Sequence, residues 1–196
     1  SQGLSASYVA LDVNNENEIN HLIEKSNPFD ILINNAGTNK PAKLVDTDIN
    51  DFDYVMSLNV RSVVNLTKCV VKKMLANDMK GSIINVSSQM GHVGGPNRTT
   101  YCSSKFAIEG FTKSLAIELA PNGIRVNTVC PTFIQTPMTE PFLKDEEFKK
   151  NTIGMIPLGR LGEVRDLMGP FVFLASEASS LMTGSSLLVD GGWTSR

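Results

Sequence analysis

Residues 82–119 read SIINVSSQMGHVGGPNRTTYCSSKFAIEGFTKSLAIEL. Ser82 to Val86 is a short apolar run that suits a buried strand, and it stops at Ser87 and Ser88. A Gly-rich loop from Gly91 to Pro96 leads into a helix over about Thr100 to Leu119. The next apolar run, Ile124 to Cys130 (IRVNTVC), is another strand, cut off by Pro131. Strand, helix and strand in this order predict a parallel βαβ unit. The same stretch carries candidate chemistry in Ser88, Tyr101 and Lys105. A phenol titrates near about 10 and is a poor base at neutral pH, but a nearby cation favours its ionised form. Residues at i and i+4 share a helix face, so Tyr101 and Lys105 can project into one cleft. The expectation is acid–base chemistry on an alcohol or a carbonyl, with Lys105 lowering the pKa of Tyr101.

Outward from this unit the pattern repeats. SASYVALDV, residues 5–13, reads as a buried strand, and Asn14 to Lys25 as a helix with acidic residues early, where the helix dipole favours them. Phe29 to Ile33 is a short strand ending in the polar turn Asn34-Asn35-Ala36-Gly37. Asp48 to about Met79 reads as one long helix, with Phe52, Val55, Met56, Asn59, Val60, Val63, Val64 and Leu66 on the buried side and Gly81 closing it. Residues 131–162 carry four of the nine prolines and read as irregular, with one short helix near Asp145 to Asn151. Glu163 to Ser176 is helical, and Ser186 to Asp190 is a last strand. The alternation predicts an α/β fold: a doubly wound parallel sheet, single domain, whose ligands sit beyond the carboxyl ends of the strands. Asp12, Asn35 and Ser88 all fall just past predicted strand ends and would line one crevice.

With 196 residues the chain suits one domain with a sizeable core. A formal net charge of -2 argues against a nucleic-acid partner. No apolar run approaches the roughly 18 residues of a membrane span. Cys69, Cys102 and Cys130 are odd in number and show no metal-ligand spacing, so the expectation is free thiols, no metal site and a cytoplasmic setting. His21 reads as solvated, His92 as a loop bystander, and Cys102 as a packing residue.

Five motifs make the chain resemble the short-chain dehydrogenase/reductase family: NNAG at 34–37, Asn59 within SLNV, Ser88 in NVSS, Tyr101-Cys-Ser-Ser-Lys105, and RVNTVCP ending at Pro131. The tail ASEASSLMTGSSLLVDGG, residues 175–192, also fits. The resemblance implies a Rossmann-like fold and an NAD(P)-dependent oxidoreductase interconverting a secondary alcohol and a ketone. It implies Tyr101 as general acid/base, Lys105 as the cation beside it and a hydrogen-bond donor to the nicotinamide ribose, and Ser88 as the group polarising the substrate oxygen. Asn59 would hold a water linking Lys105 to solvent. Asp12 and Val13 would contact the adenine, although Asp12 could equally cap the helix after it. Asn35, Ala36 and Gly37 would let the backbone approach the adenosine ribose, while Pro131, Thr132, Ile134 and Thr136 would hold the carboxamide. The resemblance also implies a homo-oligomer, dimer or tetramer.

Residues 156–179 and the final VDGGWTSR are similar to the sugar-acid and polyol branch. Reductases of 3-oxoacyl groups on acyl carrier protein share nearly the same motifs and are the alternative. A non-catalytic binding protein with a degenerate cofactor site is the alternative of another class. Residues 137–158, with Met138, Phe142, Leu143, Phe148 and Met155, read as a lid over the substrate. Two departures from the family stand out. Thr132 occupies a position usually held by Gly, and a β-branched residue is expected to keep an ordinary negative φ there. The family's opening strand, Gly-rich phosphate turn and helix, about 50 to 60 residues, have no counterpart before Asp12. The expectation is an N-terminally incomplete chain; as a whole polypeptide it would expose apolar sheet surface, be poorly stable and bind cofactor weakly. The choice between NAD and NADP lies in that missing portion.

Overall fold

The structure, a computed structural model, describes residues 6–195. Helix α1 (Glu16–Lys25) starts where the Asn15 carboxamide accepts from the backbone N–H groups of Asn17 and Glu18, with Glu16 and Glu18 in its first turn. Strand β1 (Ile31–Asn34) is followed by α2 (Ile49–Met56), capped by Asp48. Five residues, Ser57–Arg61, then widen into a π-helical turn before α3 (Ser62–Ala76). Strand β2 (Gly81–Val86), helix α4 (Thr99–Leu119) and strand β3 (Ile124–Pro131) form the βαβ unit expected from residues 82–130. Short helices α5 (Glu140–Leu143) and α6 (Glu146–Gly154), then α7 (Val164–Ala175), lead to β4 (Ser186–Val189).

The four strands lie in the order β1-β2-β3-β4, all parallel. Alternation along β2 sends Ile83 to one face and Ile84 to the other. Ile83, Ile124 and Val126 pack with Val70 and Met74 of α3, Ala116 and Leu119 of α4, and Ile19 and Ile23 of α1. On the opposite face Ile84 and Val129 pack against Leu174 of α7. Each fully buried aliphatic side chain contributes about 1.5–3 kcal/mol through removal of apolar surface from water. This is the doubly wound, Rossmann-like single domain expected.

Three expectations are corrected. Residues 6–13 form no strand (Ser5 lies outside the described residues); Tyr8 is 86% and Val9 58% exposed. A parallel strand exists only through its hydrogen-bonded neighbour, and although β1 pairs with β2 alone, residues 6–13 do not take up its open edge. Leu11 and Val13 instead tuck against the core beside α1. The long helix stops at Ala76, closed by Asp78 at φ 50, and Gly81 opens β2 rather than ending the helix. The π turn inserts an extra residue, which carries the buried stripe on to Val63, Thr67, Val70 and Met74 and leaves Val64 exposed. Finally, the segment after Pro131 holds two helices rather than one, because Asp145 accepts from the Glu147 and Phe148 N–H groups and starts a second helix after α5 ends.

Candidate active site

A buried polar ladder fixes the carboxyl ends of the strands. The Asn34 carboxamide donates to Thr67 Oγ1 (2.9 Å) and to Asn85 Oδ1 (2.8 Å), and the Asn85 carboxamide donates to Thr112 Oγ1 of α4 (2.8 Å). Beyond it opens a cavity of about 710 Å3. Its walls include Asn35 and Gly37 after β1, Ser88 after β2, and Pro131, Thr132, Ile134 and Thr136 after β3. Tyr101 and Lys105 reach it from α4.

Asn59 stands behind this wall, buried in the π turn. Its Oδ1 accepts from Thr38 N–H (2.8 Å), and its Nδ2 donates to Thr38 O (2.9 Å) and Ser104 Oγ (3.0 Å). Asn59 thereby clamps the loop after β1 onto α4. Both its amide hydrogens are committed to protein. A Cβ at Gly37 would come within 3.3 Å of Asn59 Oδ1 and 3.8 Å of Lys105 Nζ, so glycine lets the loop lie this close.

Ser88 Oγ donates to Gln89 Oε1 (2.7 Å) and accepts from Met90 N–H (3.1 Å). Lys105 Nζ sits 5.6 Å from the centroid of the Tyr101 ring and donates to Val86 O (2.9 Å). Burial pushes Lys105 down to about 8, against the opposing pull of Cys130 and Glu109. Burial pushes the Tyr101 phenol above its ordinary value, opposed by a hydrogen bond with Ser88 and by the Arg98 charge. The expected lowering of Tyr101 by Lys105 is therefore corrected for this structure. Desolvation outweighs the Ser88 hydrogen bond and the Arg98 charge, and the Lys105 ammonium donates to the Val86 carbonyl.

Beneath Lys105 the fold gathers residues far apart in sequence. The Glu109 carboxylate accepts from Ser186 Oγ (2.6 Å), Thr128 Oγ1 (3.2 Å) and Cys130 Sγ (3.3 Å), and His92 Nε2 lies 3.5 Å from it. Burial pushes the Cys130 thiol up to about 12, so it stays a neutral donor. His92, expected to be a bystander, also meets Cys130 Sγ at 3.4 Å. This grouping is invisible as a spacing, although Glu109 continues the Tyr101, Lys105 series by one more helical turn.

A sequence model of the family described as Enoyl-(Acyl carrier protein) reductase matches residues 1–194. The 3-oxoacyl-[acyl-carrier-protein] reductase FabG of Thermotoga maritima is 41% identical over 186 residues, covering 93% of this chain and 74% of that protein. The chain belongs to the short-chain dehydrogenase/reductase family. The cyclopentanol dehydrogenase of Comamonas testosteroni is 40% identical, covering 98% of this chain and 78% of that protein. Among solved structures, a gluconate 5-dehydrogenase from Burkholderia cenocepacia J2315 in complex with NADP and tartrate superposes with a TM-score of 0.91. It is 32% identical and covers 95% of this chain and 74% of that one.

Membership makes the chain an NAD(P)-dependent oxidoreductase, and the reading as a non-catalytic binding protein lapses. The residues present fit a nicotinamide cofactor. Gly37 leaves a cradle open beside Lys105, and Thr132 Oγ1 is buried in the cavity wall without a partner. Thr132 keeps an ordinary φ, as expected of a β-branched residue: among the described residues other than glycine, only Asp78 and Asn97 have positive φ. Asp12 and Val13 are not on the cavity wall. Asp12 Oδ1 accepts from Asn14 N–H (2.9 Å) and its N–H donates to Glu18 (3.2 Å), which shapes the turn before α1. Ala36 is exposed and likewise off the wall. Sequence reasoning missed Asn39, Gln89 and Arg98, which line a small pocket adjoining the cavity beside Ser88 and Tyr101. Arg98 had a weak signal, three residues before Tyr101 at the start of the same helix.

Proposed function

We propose that the chain interconverts a secondary alcohol and a ketone on a sugar acid or polyol, with Tyr101 as the proton-transferring residue. The observation that carries this reading is the convergence of Ser88, Tyr101 and Lys105 on one wall of the 710 Å3 cavity at the strand ends. NAD(P), bound along Asn35, Gly37, Pro131, Thr132, Ile134 and Thr136, supplies or accepts the hydride. Ser88 Oγ, held by Gln89, polarises the substrate oxygen. Tyr101 gives that oxygen a proton in reduction and takes it back in oxidation. Lys105 offsets the rise in the Tyr101 pKa once its ammonium turns from Val86 O toward the phenol and the cofactor ribose. Asn59 positions the cofactor-facing loop through Thr38; the water between it and Lys105 would use the open side of Oδ1.

Residues 137–158 act as a lid, hinged where Ile134 bridges Gly162 and carrying Phe142 and Phe148, whose rings lie 6.4 Å apart. Similarity to the gluconate 5-dehydrogenase supports a sugar-acid or polyol substrate. Similarity to the Thermotoga reductase supports a second reading, reduction of 3-oxoacyl groups on acyl carrier protein. Assays of gluconate-type substrates against an acetoacetyl thioester choose between them. A homo-oligomer and a cytoplasmic setting complete the proposal, supported by exposed Phe106 and Ile117 on α4 and by three free cysteines. Tyr101→Phe is expected to lower turnover about 100-fold or more while largely keeping cofactor binding. Unchanged turnover in that variant refutes the acid–base assignment.

A further inference from the structure

Adjoining the cavity, and sharing Ser88, Tyr101 and Thr132 with it, a small pocket of about 70 Å3 reaches Arg98. Arg98 is only 6% exposed. Among the described residues its guanidinium has no carboxylate partner and donates no hydrogen bond; it lies over the Phe142 ring of the proposed lid, 5.5 Å from its centroid. The guanidinium is partly desolvated: burial pushes the Arg98 pKa down, opposed by the neighbouring Tyr101 and Cys102. A guanidinium that lines a pocket without a carboxylate partner is free to pair with an anion there. Asn39 and Thr132 also line the pocket, and Asn39 Oδ1 and Thr132 Oγ1 are buried without hydrogen-bond partners. The Asn39 amide can present its NH2 end instead, and the Thr132 hydroxyl can donate. A water takes about 30 Å3, so the space suits a carboxylate with a carbon or two and little more.

We propose that this pocket is a carboxylate subsite, in which Arg98 holds an acid group of the substrate within a few bonds of the carbon whose oxygen meets Ser88 and Tyr101. The inference rests on the proposed alcohol–ketone chemistry at Tyr101 and narrows its substrate class to hydroxy acids and their oxo acids. Guanidinium and carboxylate match as a planar, two-point pair, so an acid is preferred over the neutral alcohol of the same shape. The Phe142 contact ties this recognition to the lid, which an acid would draw down over the reacting carbon. An apolar acyl chain entering the same pocket would leave the guanidinium uncompensated, which disfavours long 3-oxoacyl substrates in this direction.

The test compares matched pairs on the full-length protein: gluconate against sorbitol, and 3-hydroxybutyrate against its methyl ester. Tartrate binding by calorimetry is the readout independent of turnover. In the wild type the acids are expected to have the higher kcat/KM. In Arg98→Met the acid-to-neutral ratio is expected to fall about 10- to 100-fold, mainly through KM, and tartrate affinity by a similar factor, with Arg98→Lys between the two. Should Arg98→Met fail to fold by circular dichroism, the wild-type ratios and Arg98→Lys decide. A ratio unchanged by substitution, or a wild type that prefers the neutral partner, overturns the subsite. Neutral alcohols oxidised with no tartrate bound sinks the subsite and leaves the proposed function standing. Arg98-dependent tartrate binding without turnover of either pair does the reverse.

Discussion

Lys105 titrates near 8 in the folded protein, well below a free lysine, because burial disfavours its charge. The sign of its effect on stability follows. Between about pH 8 and 10.5 the unfolded chain holds the proton that the folded chain has lost, so this group makes the protein more stable as pH rises through that window. Catalysis runs the other way, since the proposed role needs the ammonium. The alkaline limb of kcat/KM is therefore expected near pH 8. Glu109, one turn further along α4, contributes a negative charge that favours the ammonium form. Glu109→Gln is expected to move the alkaline limb to lower pH and, by disturbing the cluster with Thr128, Cys130 and Ser186, to cost about 1–3 kcal/mol in denaturant unfolding. A limb that stays in place assigns Glu109 to structure alone. Tyr101 and Lys105 could be paired from sequence because helical spacing puts them on one face. The direction of the Tyr101 shift could not, since spacing carries no information about burial.

At the scale of elements, the π turn over Ser57–Arg61 matters most to the site. It lies inside what periodicity presents as one helix, and a pattern of apolar residues cannot distinguish a wide turn from a regular one. The turn aims Asn59 at Thr38, where its amide stands in for a strand partner. Asn59→Leu removes three hydrogen bonds from a buried clamp, an expected cost of about 1.5–4 kcal/mol. Loosening of the Asn35–Thr38 loop is expected to raise the cofactor Kd about tenfold or more, read by fluorescence titration with NADPH. Cofactor affinity that survives the substitution would detach the loop from cofactor binding. Residues 82–130 were readable because their strands are short, apolar and bounded by turn residues. The segment 6–13 was misread for the complementary reason: its β-prone composition is real, but a strand also needs a neighbour to pair with.

At the scale of the whole molecule, α7 covers β2 to β4 on one face of the sheet and stops short of β1, so Ile31 and Ile33 are 43% and 44% exposed. On the other side, α4 presents Phe106 and Ile117, 50% and 79% exposed, on the outer surface proposed for self-association. Ile117→Glu is expected to shift the protein to a smaller species in analytical ultracentrifugation with its circular dichroism spectrum intact; an unchanged mass would place any interface elsewhere. The sequence by itself determined the fold class, the family and the Ser88, Tyr101 and Lys105 group, because local patterns and motif spacing are properties of a chain in order. Tertiary structure alone decided what surrounds that group. It set Glu109 under Lys105, turned Asn59 onto Thr38 and left Arg98 buried without a counter-charge. Those contacts join residues from separate elements, and their electrostatics depend on burial, which exists only once the elements have packed.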